Sequence, residues 1–145
     1  MRRIAALILM ALAANALAGE APAPVTFGYV DIYLDSGEAA LAAYQVDFSA
    51  EHESARIVGV EGGDHAAFGA APYFDPAATG GERVVIGAFS TAKDLPRGKT
   101  RVARIHLELT AGAVHHFNTE LLTAATAGGE KIHPTLTLTP QGVNP

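Results

Sequence analysis

The histidines are the side chains in this sequence most suited to binding a metal ion. His115 and His116 are adjacent, and His106 or His133 could join them around Zn²⁺ or Cu²⁺. Adjacent residues of a strand point to opposite faces, so the pair could share one ion only in a turn. Because no ligand spacing typical of zinc sites is present, the sequence predicts a polar loop before a strand, with no metal and no cofactor.

Carboxylates are the second candidate for chemistry, since paired acids can serve general acid–base catalysis or bind calcium. Five of them follow one another in the middle of the chain: Asp47, Glu51, Glu53, Glu61 and Asp64. We expect them to form a solvated acidic rim around one end of the domain. The Gly-x-Ser-x-Gly and His-Glu-x-x-His patterns of hydrolases are absent from the sequence. The sequence therefore favours a protein that is not an enzyme.

The third candidate is an aromatic segment in residues 64–81, the longest irregular stretch. Its Phe68, Tyr73 and Phe74 could contact a sugar or a protein, because exposed aromatic side chains are typical of binding hot spots. They could equally close the open end of the hydrophobic core, and we favour this interpretation because a small domain needs its aromatic residues. Tyr73 and Phe74 are retained as binding candidates, and a short strand is possible around Tyr73.

These residues lie on or between segments whose hydrophobic residues alternate with the period of two that is typical of β-strands. We expect the first segment, residues 25–34, to be covered on both faces. The pattern in residues 41–48 places Tyr44, Val46 and Phe48 inward and leaves Gln45 and Asp47 outward. In residues 100–110 one face holds Ala103, Ile105, Leu107 and Leu109, and the other holds Val102, Arg104, His106 and Glu108.

Further strand patterns follow at residues 55–60, 83–90, 117–127 and 135–139, with glycine-rich turns between them. No segment after residue 18 sustains a helical period. The predicted fold is therefore all-β: an antiparallel β-sandwich, jelly-roll-like, with about eight or nine strands. Its outward residues would supply a binding face on a sheet, for which the candidates are Gln45, Asp47, Arg104, His106 and Glu108.

Length and composition narrow the function classes. A chain of 145 residues has room for one domain. Its formal net charge of -5 argues against a nucleic-acid partner, because phosphate binding needs a clustered positive field. The sequence contains no cysteine, which removes disulfides, thiolate catalysis and Cys-ligated zinc.

The first 18 residues have the pattern of a cleavable signal peptide. Arg2 and Arg3 precede a short apolar run, and small residues stand at positions 16 and 18. The apolar run is shorter than the roughly 20 residues that a membrane span needs. We therefore expect a secreted or periplasmic product with a flexible leader at residues 19–24, one domain at residues 25–145, and no membrane span after signal removal.

Three stretches of this domain resemble the cohesin-like family of exported β-sandwich modules. They are Ala43-Tyr-Gln-Val-Asp-Phe-Ser49; Ile57-Val-Gly-Val-Glu-Gly-Gly63 followed by Arg83-Val-Val-Ile-Gly-Ala-Phe-Ser90; and Gly98-Lys-Thr-Arg-Val-Ala-Arg-Ile-His-Leu-Glu-Leu109. The chain departs from the family at Ala50-Glu-His-Glu-Ser54, where members usually carry Asp-Pro and an apolar residue.

The resemblance implies a non-catalytic recognition module on the receptor side of a pairing with a dockerin-like protein, whose duplicated calcium loops this chain lacks. Two alternatives stay open. A carbohydrate-binding module of the same fold class would bind a polysaccharide through aligned aromatics, for which Tyr29 and Tyr33 share a face. A structural envelope protein would instead self-associate through an edge strand.

Overall fold

The computed structural model describes residues 19–144, and the expected signal peptide at residues 1–18 lies outside them. Seven strands form, with the bounds β1 (Val25–Asp35), β2 (Ala43–Ala50), β3 (Ala55–Gly62), β4 (Arg83–Phe89), β5 (Lys99–Thr110), β6 (Phe117–Ala125) and β7 (Thr135–Gln141). They build a four-stranded sheet in the order β3-β5-β1-β7, called the large sheet here, and a three-stranded small sheet in the order β4-β2-β6. All the ladders are antiparallel.

This architecture confirms the all-β sandwich, with seven strands in place of the eight or nine expected. The segment around Tyr73 contributes a single bridge to Gly87 and no strand of its own. Every ladder joins strands that are not neighbours in sequence: β1 with β5 and β7, β2 with β4 and β6, and β3 with β5. The jelly-roll connectivity stays a prediction.

The core lies between the two sheets and follows the alternation that the sequence predicted. Val30, Ile32 and Leu34 of β1 are fully buried, and so are Val46 and Phe48 of β2. The inward residues of β5 have at most 1% of their surface exposed: Ala103, Ile105, Leu107 and Leu109. Burying each large aliphatic or aromatic side chain contributes about 1.5–3 kcal/mol, so this layer accounts for most of the driving force for folding.

A β-bulge in β5 breaks the alternation. The β1–β5 register places Ala103 opposite Ile32 but Arg101 opposite Tyr33, so Val102 is an extra residue in the ladder. Val102 is fully buried, and its carbonyl accepts a hydrogen bond from the Tyr44 hydroxyl at 3.1 Å. The prediction that Val102 faces outward with Arg104 is wrong, because the bulge shifts the register by one residue at this point.

The outer side of β1 also differs from expectation. Phe27 is 68% exposed, and Tyr29 and Tyr33 are only half-buried. The expectation that both faces of this strand are covered is therefore wrong, since no further layer lies over the large sheet in the part of the chain that the structure describes. β1 presents an aromatic row to solvent.

The segment between β3 and β4 closes one end of the core. It forms two short 3₁₀ turns, Ala66–Phe68 and Pro76–Ala78. Phe68 is 2% exposed and packs edge-on against Tyr44, and Phe74 packs partly buried against the core. The capping interpretation holds for these two residues, whereas Tyr73 is 77% exposed.

Gly63 connects this segment to the bulge. A Cβ atom at Gly63 would overlap the carbonyl of Arg101, so the backbones approach more closely here than any side chain permits. This approach allows the Asp64 amide to donate to the Arg101 carbonyl at 3.1 Å. The loop after β3 thus contacts the bulge and is hydrogen-bonded to the residue before it.

We expect Gly63→Ala to destabilise the fold by about 1–3 kcal/mol, because the added methyl group must displace backbone. The matched control is Gly59→Ala, where a Cβ meets open space and the stiffer unfolded chain makes the change neutral or slightly stabilising. Urea unfolding of both variants measures the difference. Equal stabilities for the two variants would show that the approach of Gly63 to the bulge does not constrain the fold.

Candidate functional site

The outer face of the large sheet carries a network of charged and aromatic side chains, called the Asp31 cluster here. Its members are Tyr29 and Asp31 from β1, Glu61 from β3, and Arg101, Arg104 and His106 from β5. The strand register brings them together, since Tyr29 lies opposite His106 and Asp31 opposite Arg104, while Glu61 lies opposite Arg104 on the other side of β5.

Asp31 is the centre of the cluster, with 8% of its side chain exposed. Arg104 donates to both carboxylate oxygens, from Nε at 2.7 Å and from Nη2 at 3.0 Å, and Arg101 adds a hydrogen bond from Nη1 at 3.3 Å. Burial raises the pKa of Asp31, but the hydrogen bonds and charges of the two arginines outweigh it and hold that pKa below its ordinary value. The carboxylate is therefore ionised, and both of its oxygens accept hydrogen bonds from arginine.

Arg104 is held on its other side by an aromatic ring. Its guanidinium carbon lies 3.9 Å from the centroid of the Tyr29 ring, a cation–π contact. The hydrogen bond to Asp31 is the main reason that the pKa of Arg104 rises above its ordinary value. Fixed by a carboxylate and a ring together, the guanidinium has little freedom to reorient.

His106 and Glu61 form the exposed border of the cluster. His106 Nε2 lies 2.9 Å from Glu61 Oε2, with side chains 41% and 53% exposed. The hydrogen bond from His106 lowers the pKa of Glu61. The centroid of the His106 ring lies 6.2 Å from the centroid of the Tyr29 ring. This pair has polar atoms that a ligand could reach.

Arg101 bridges the cluster to the loop that follows β3, since it also donates to the Asp64 carboxylate. Burial lowers the pKa of Arg101, but the hydrogen bonds to Asp64 and Asp31 give a net rise. Lys99 lies nearby with its Nζ 5.0 Å from the centroid of the Tyr33 ring. Arg101 and Arg104 are thus each paired with a carboxylate on this face, and Lys99 contacts an aromatic ring.

The candidate binding residues do not share one surface. Arg104, His106 and Glu108 belong to the outer face of the large sheet, whereas Gln45 and Asp47 belong to the outer face of the small sheet, on the opposite side of the sandwich. A single flat face cannot contain both sets. Tyr73 and Phe74 lie apart from both, at the outer edge of β4, where Tyr73 forms a bridge with Gly87.

Asp47 has a local partner on the small sheet. Arg83 donates from Nε to the two carboxylate oxygens at 2.9 and 3.1 Å, and this lowers the pKa of Asp47. The pair borders a shallow depression with Ser49, Asn118 and Glu120. Gln45 is exposed on the same face. This surface has one ion pair and no aromatic ring within the depression.

The expected acidic rim does not form. Glu51 accepts a hydrogen bond from Asn118 after β2, Glu61 contacts His106 at the far end of β3, and Asp64 contacts Arg101. Glu51 and Glu53 precede β3, whereas Glu61 is the seventh of its eight residues and Asp64 follows the strand, so the carboxylates cannot act as one site. The expectation is wrong because β3 places Glu61 and Asp64 at the opposite end of the sheet from Glu51.

The paired histidines lie in the loop between β5 and β6, as expected. His115 is 5% exposed and its amide donates to the Asn144 carbonyl at 3.0 Å, while His116 is exposed. Within residues 19–144 no group of three or more His, Cys, Asp or Glu side chains is placed to hold a metal ion. Nor does a helix in that range have the length and apolar character to cross a membrane.

Comparisons of the chain with protein-family models, with curated proteins and with solved structures gave no match. The resemblance to cohesin-like modules therefore rests on the three sequence stretches alone.

Removing the charge of Asp31 should lower the free energy of unfolding more than removing the charge of Asp47. Asp31→Asn should destabilise the protein by about 1–3 kcal/mol, because it removes the charged acceptor that Arg101 and Arg104 share and leaves the partly buried Arg104 without a hydrogen-bonded carboxylate. Asp47→Asn removes an ion pair whose arginine, Arg83, is 68% exposed, and should cost less than about 1 kcal/mol. Chemical denaturation at neutral pH compares the two, and an Asp47→Asn effect as large as that of Asp31→Asn would contradict a central role for Asp31.

The sign of the pH dependence follows from the lowered pKa of Asp31. The unfolded chain takes up a proton on this residue near its ordinary pKa of 3.8, before the folded chain does. Its contribution is therefore complete above pH 3.8 and is lost as the pH falls through the lower folded value. We expect wild type to lose stability more steeply than Asp31→Asn in this acidic window, whereas parallel curves would contradict the ionised cluster.

Proposed function

We propose that the protein is an exported, non-catalytic recognition module that binds a protein partner through the outer face of the large sheet. The observation that carries this proposal is the fixed geometry of Arg104 between Asp31 and Tyr29. Arginine and tyrosine are enriched in binding hot spots, and a side chain that is already ordered loses little entropy on binding. The cohesin-like resemblance supports a dockerin-like module as the partner.

The exposed groups around this centre suit a mixed polar and aromatic interface. Phe27 is 68% exposed on the same face, and the His106–Glu61 pair is about half exposed. Glu108 lies opposite Phe27 in the β1–β5 ladder. An interface with an aromatic and guanidinium centre and a charged border is typical of reversible protein complexes.

Carbohydrate binding is the second candidate, and the aromatic row of β1 favours it. Phe27, Tyr29 and Tyr33 share one face of a strand and stand at intervals of two and four residues. Such rings offer flat apolar surfaces, with the tyrosine hydroxyls available for hydrogen bonds. A polysaccharide lying along β1 would contact this row.

The binding proposal is tested with Phe27→Ala and Phe89→Ala, two removals of a ring that is 68% exposed in the folded protein. Phe27 lies on the large sheet, whereas Phe89 lies on β4 of the small sheet. Surface plasmon resonance against a set of dockerin modules should show binding that Phe27→Ala weakens about tenfold or more and Phe89→Ala leaves unchanged.

A glycan array run in parallel separates the two candidates. Glycan binding that Tyr33→Ala removes, without any dockerin binding, would select the carbohydrate function. Binding of neither class, or equal loss in Phe27→Ala and Phe89→Ala, would overturn the assignment of this face.

Export is tested by the N-terminus of the product. Expression of the full chain in a Gram-negative host should release a protein that begins at Gly19, because the small residues at positions 16 and 18 form the cleavage motif. Ala18→Glu should leave the precursor uncleaved. The control variant Ala23→Glu, which lies beyond the motif, should be cleaved as wild type is. Mass spectrometry of the cell fractions distinguishes these results, and a full-length cytoplasmic product would contradict export.

A further inference from the structure

The two sheets have four edge strands, and three of them are covered by loops or carry charges. Ile57 of β3 exchanges hydrogen bonds with Gly80 and Gly81, at 2.7 and 2.8 Å, and Gly87 of β4 exchanges two with Tyr73, at 2.8 and 3.0 Å. β6 carries a glutamate near its centre, and the carbonyl of Ala124 at its end accepts a hydrogen bond from the amide of Ile132. Loops and charges of this kind keep edge strands from pairing with other chains.

β7 is the exception. It pairs with β1 along one edge, and no backbone group within residues 19–144 pairs with its other edge. Its sequence, TLTLTPQ, contains no charged residue. A neutral strand with an open edge is suited to pairing with a further strand.

The sequence around β7 has a symmetry that identifies that further strand. Residues 134–140 read Pro-Thr-Leu-Thr-Leu-Thr-Pro, which is the same in both directions about Thr137. A second copy laid antiparallel on this edge would place threonine beside threonine and leucine beside leucine. Two-fold dimers require such a self-complementary surface.

We propose that the protein forms a two-fold dimer in which β7 pairs antiparallel with β7 of a second copy, centred on Thr137. The pairing would join the two large sheets into one eight-stranded sheet. It leaves the outer face of each large sheet exposed, so it is independent of the ligand that this face binds.

The prolines define the length of the pairing. Pro140 lies opposite Val30 in the β1–β7 ladder, and proline is tolerated in an edge strand where its nitrogen faces away from the neighbour. Leu138 and Leu136 stand two and four residues before Pro140, so their amide and carbonyl groups face the same open edge as the Pro140 nitrogen. They form about four hydrogen bonds with the second copy. The ladder ends at Pro134 and Pro140, which have no N–H to donate.

The side chains of β7 suit both faces of the joined sheet. Leu136 and Leu138 are half-buried and pack against the core, so in the dimer they extend one apolar layer across the boundary. Thr137 is exposed on the outer face. There it meets its own counterpart in a pair without backbone hydrogen bonds, where the two Cα atoms are about 4.5 Å apart.

Charged substitutions at Thr137 test the two-fold symmetry of the β7 pairing. The processed protein should show a reversible dimer in sedimentation equilibrium at concentrations up to about 1 mM, since a short ladder gives a weak complex. Thr137→Lys and Thr137→Glu should each be monomeric, because like charges face each other across the axis. A mixture of the two variants should recover dimer.

Thr123→Lys is the matched control, because Thr123 is an exposed threonine on another edge strand, β6. It should dimerise as wild type does. A wild type that stays monomeric at about 1 mM, or a Thr137→Lys variant that still dimerises, would overturn the proposal.

Cysteine cross-linking tests the register, and the native chain contains no cysteine to interfere. Thr137→Cys should form a covalent dimer under mild oxidation, because Cα atoms about 4.5 Å apart are within reach of a disulfide. Thr135→Cys should not, since its counterpart lies about four residues, or roughly 14 Å, along the strand. Equal cross-linking of the two variants would overturn the Thr137-centred pairing.

Discussion

A carboxylate in the middle of a sheet face constrains much of this structure. Asp31 is almost covered by its neighbours, and an ionised acid in such a place must be matched by cations within hydrogen-bond distance. Arg104 and Arg101 provide that match. Their positions require the β-bulge at Val102, because residues three apart on a regular strand face opposite sides of the sheet. The bulge, Gly63 and the loop after β3 together hold Arg101 and Arg104 at hydrogen-bond distance from Asp31.

The period-two pattern was sufficient to predict most of the fold. It placed Phe48, Ile105 and Leu107 inside, and all three are fully buried. It failed at Val102, because a bulge depends on the register between two strands and leaves no signal within one strand. It also overestimated the number of strands, since the segment around Tyr73 makes one bridge where a strand was possible.

The candidate site was only partly predictable. Arg104 and His106 were identified as outward residues, and the structure places both in the Asp31 cluster. Asp31 itself was overlooked because it lies within an apolar strand, although an acid between two tyrosines was a signal that it faces the polar side. The sequence also could not separate Gln45 and Asp47 from Arg104, since alternation shows that a residue faces outward but not which of two sheets it belongs to.

The connectivity of the sheets affects how the chain reaches its native state. Because every ladder joins strands that are distant in sequence, each pairing must close a long loop before any contact compensates for the lost chain entropy. Domains with such high contact order fold in milliseconds to seconds, more slowly than helical proteins. The central strand β1 acquires its last neighbour only when β7 has been synthesised. A nascent chain thus stays without its complete core until β7 has left the ribosome.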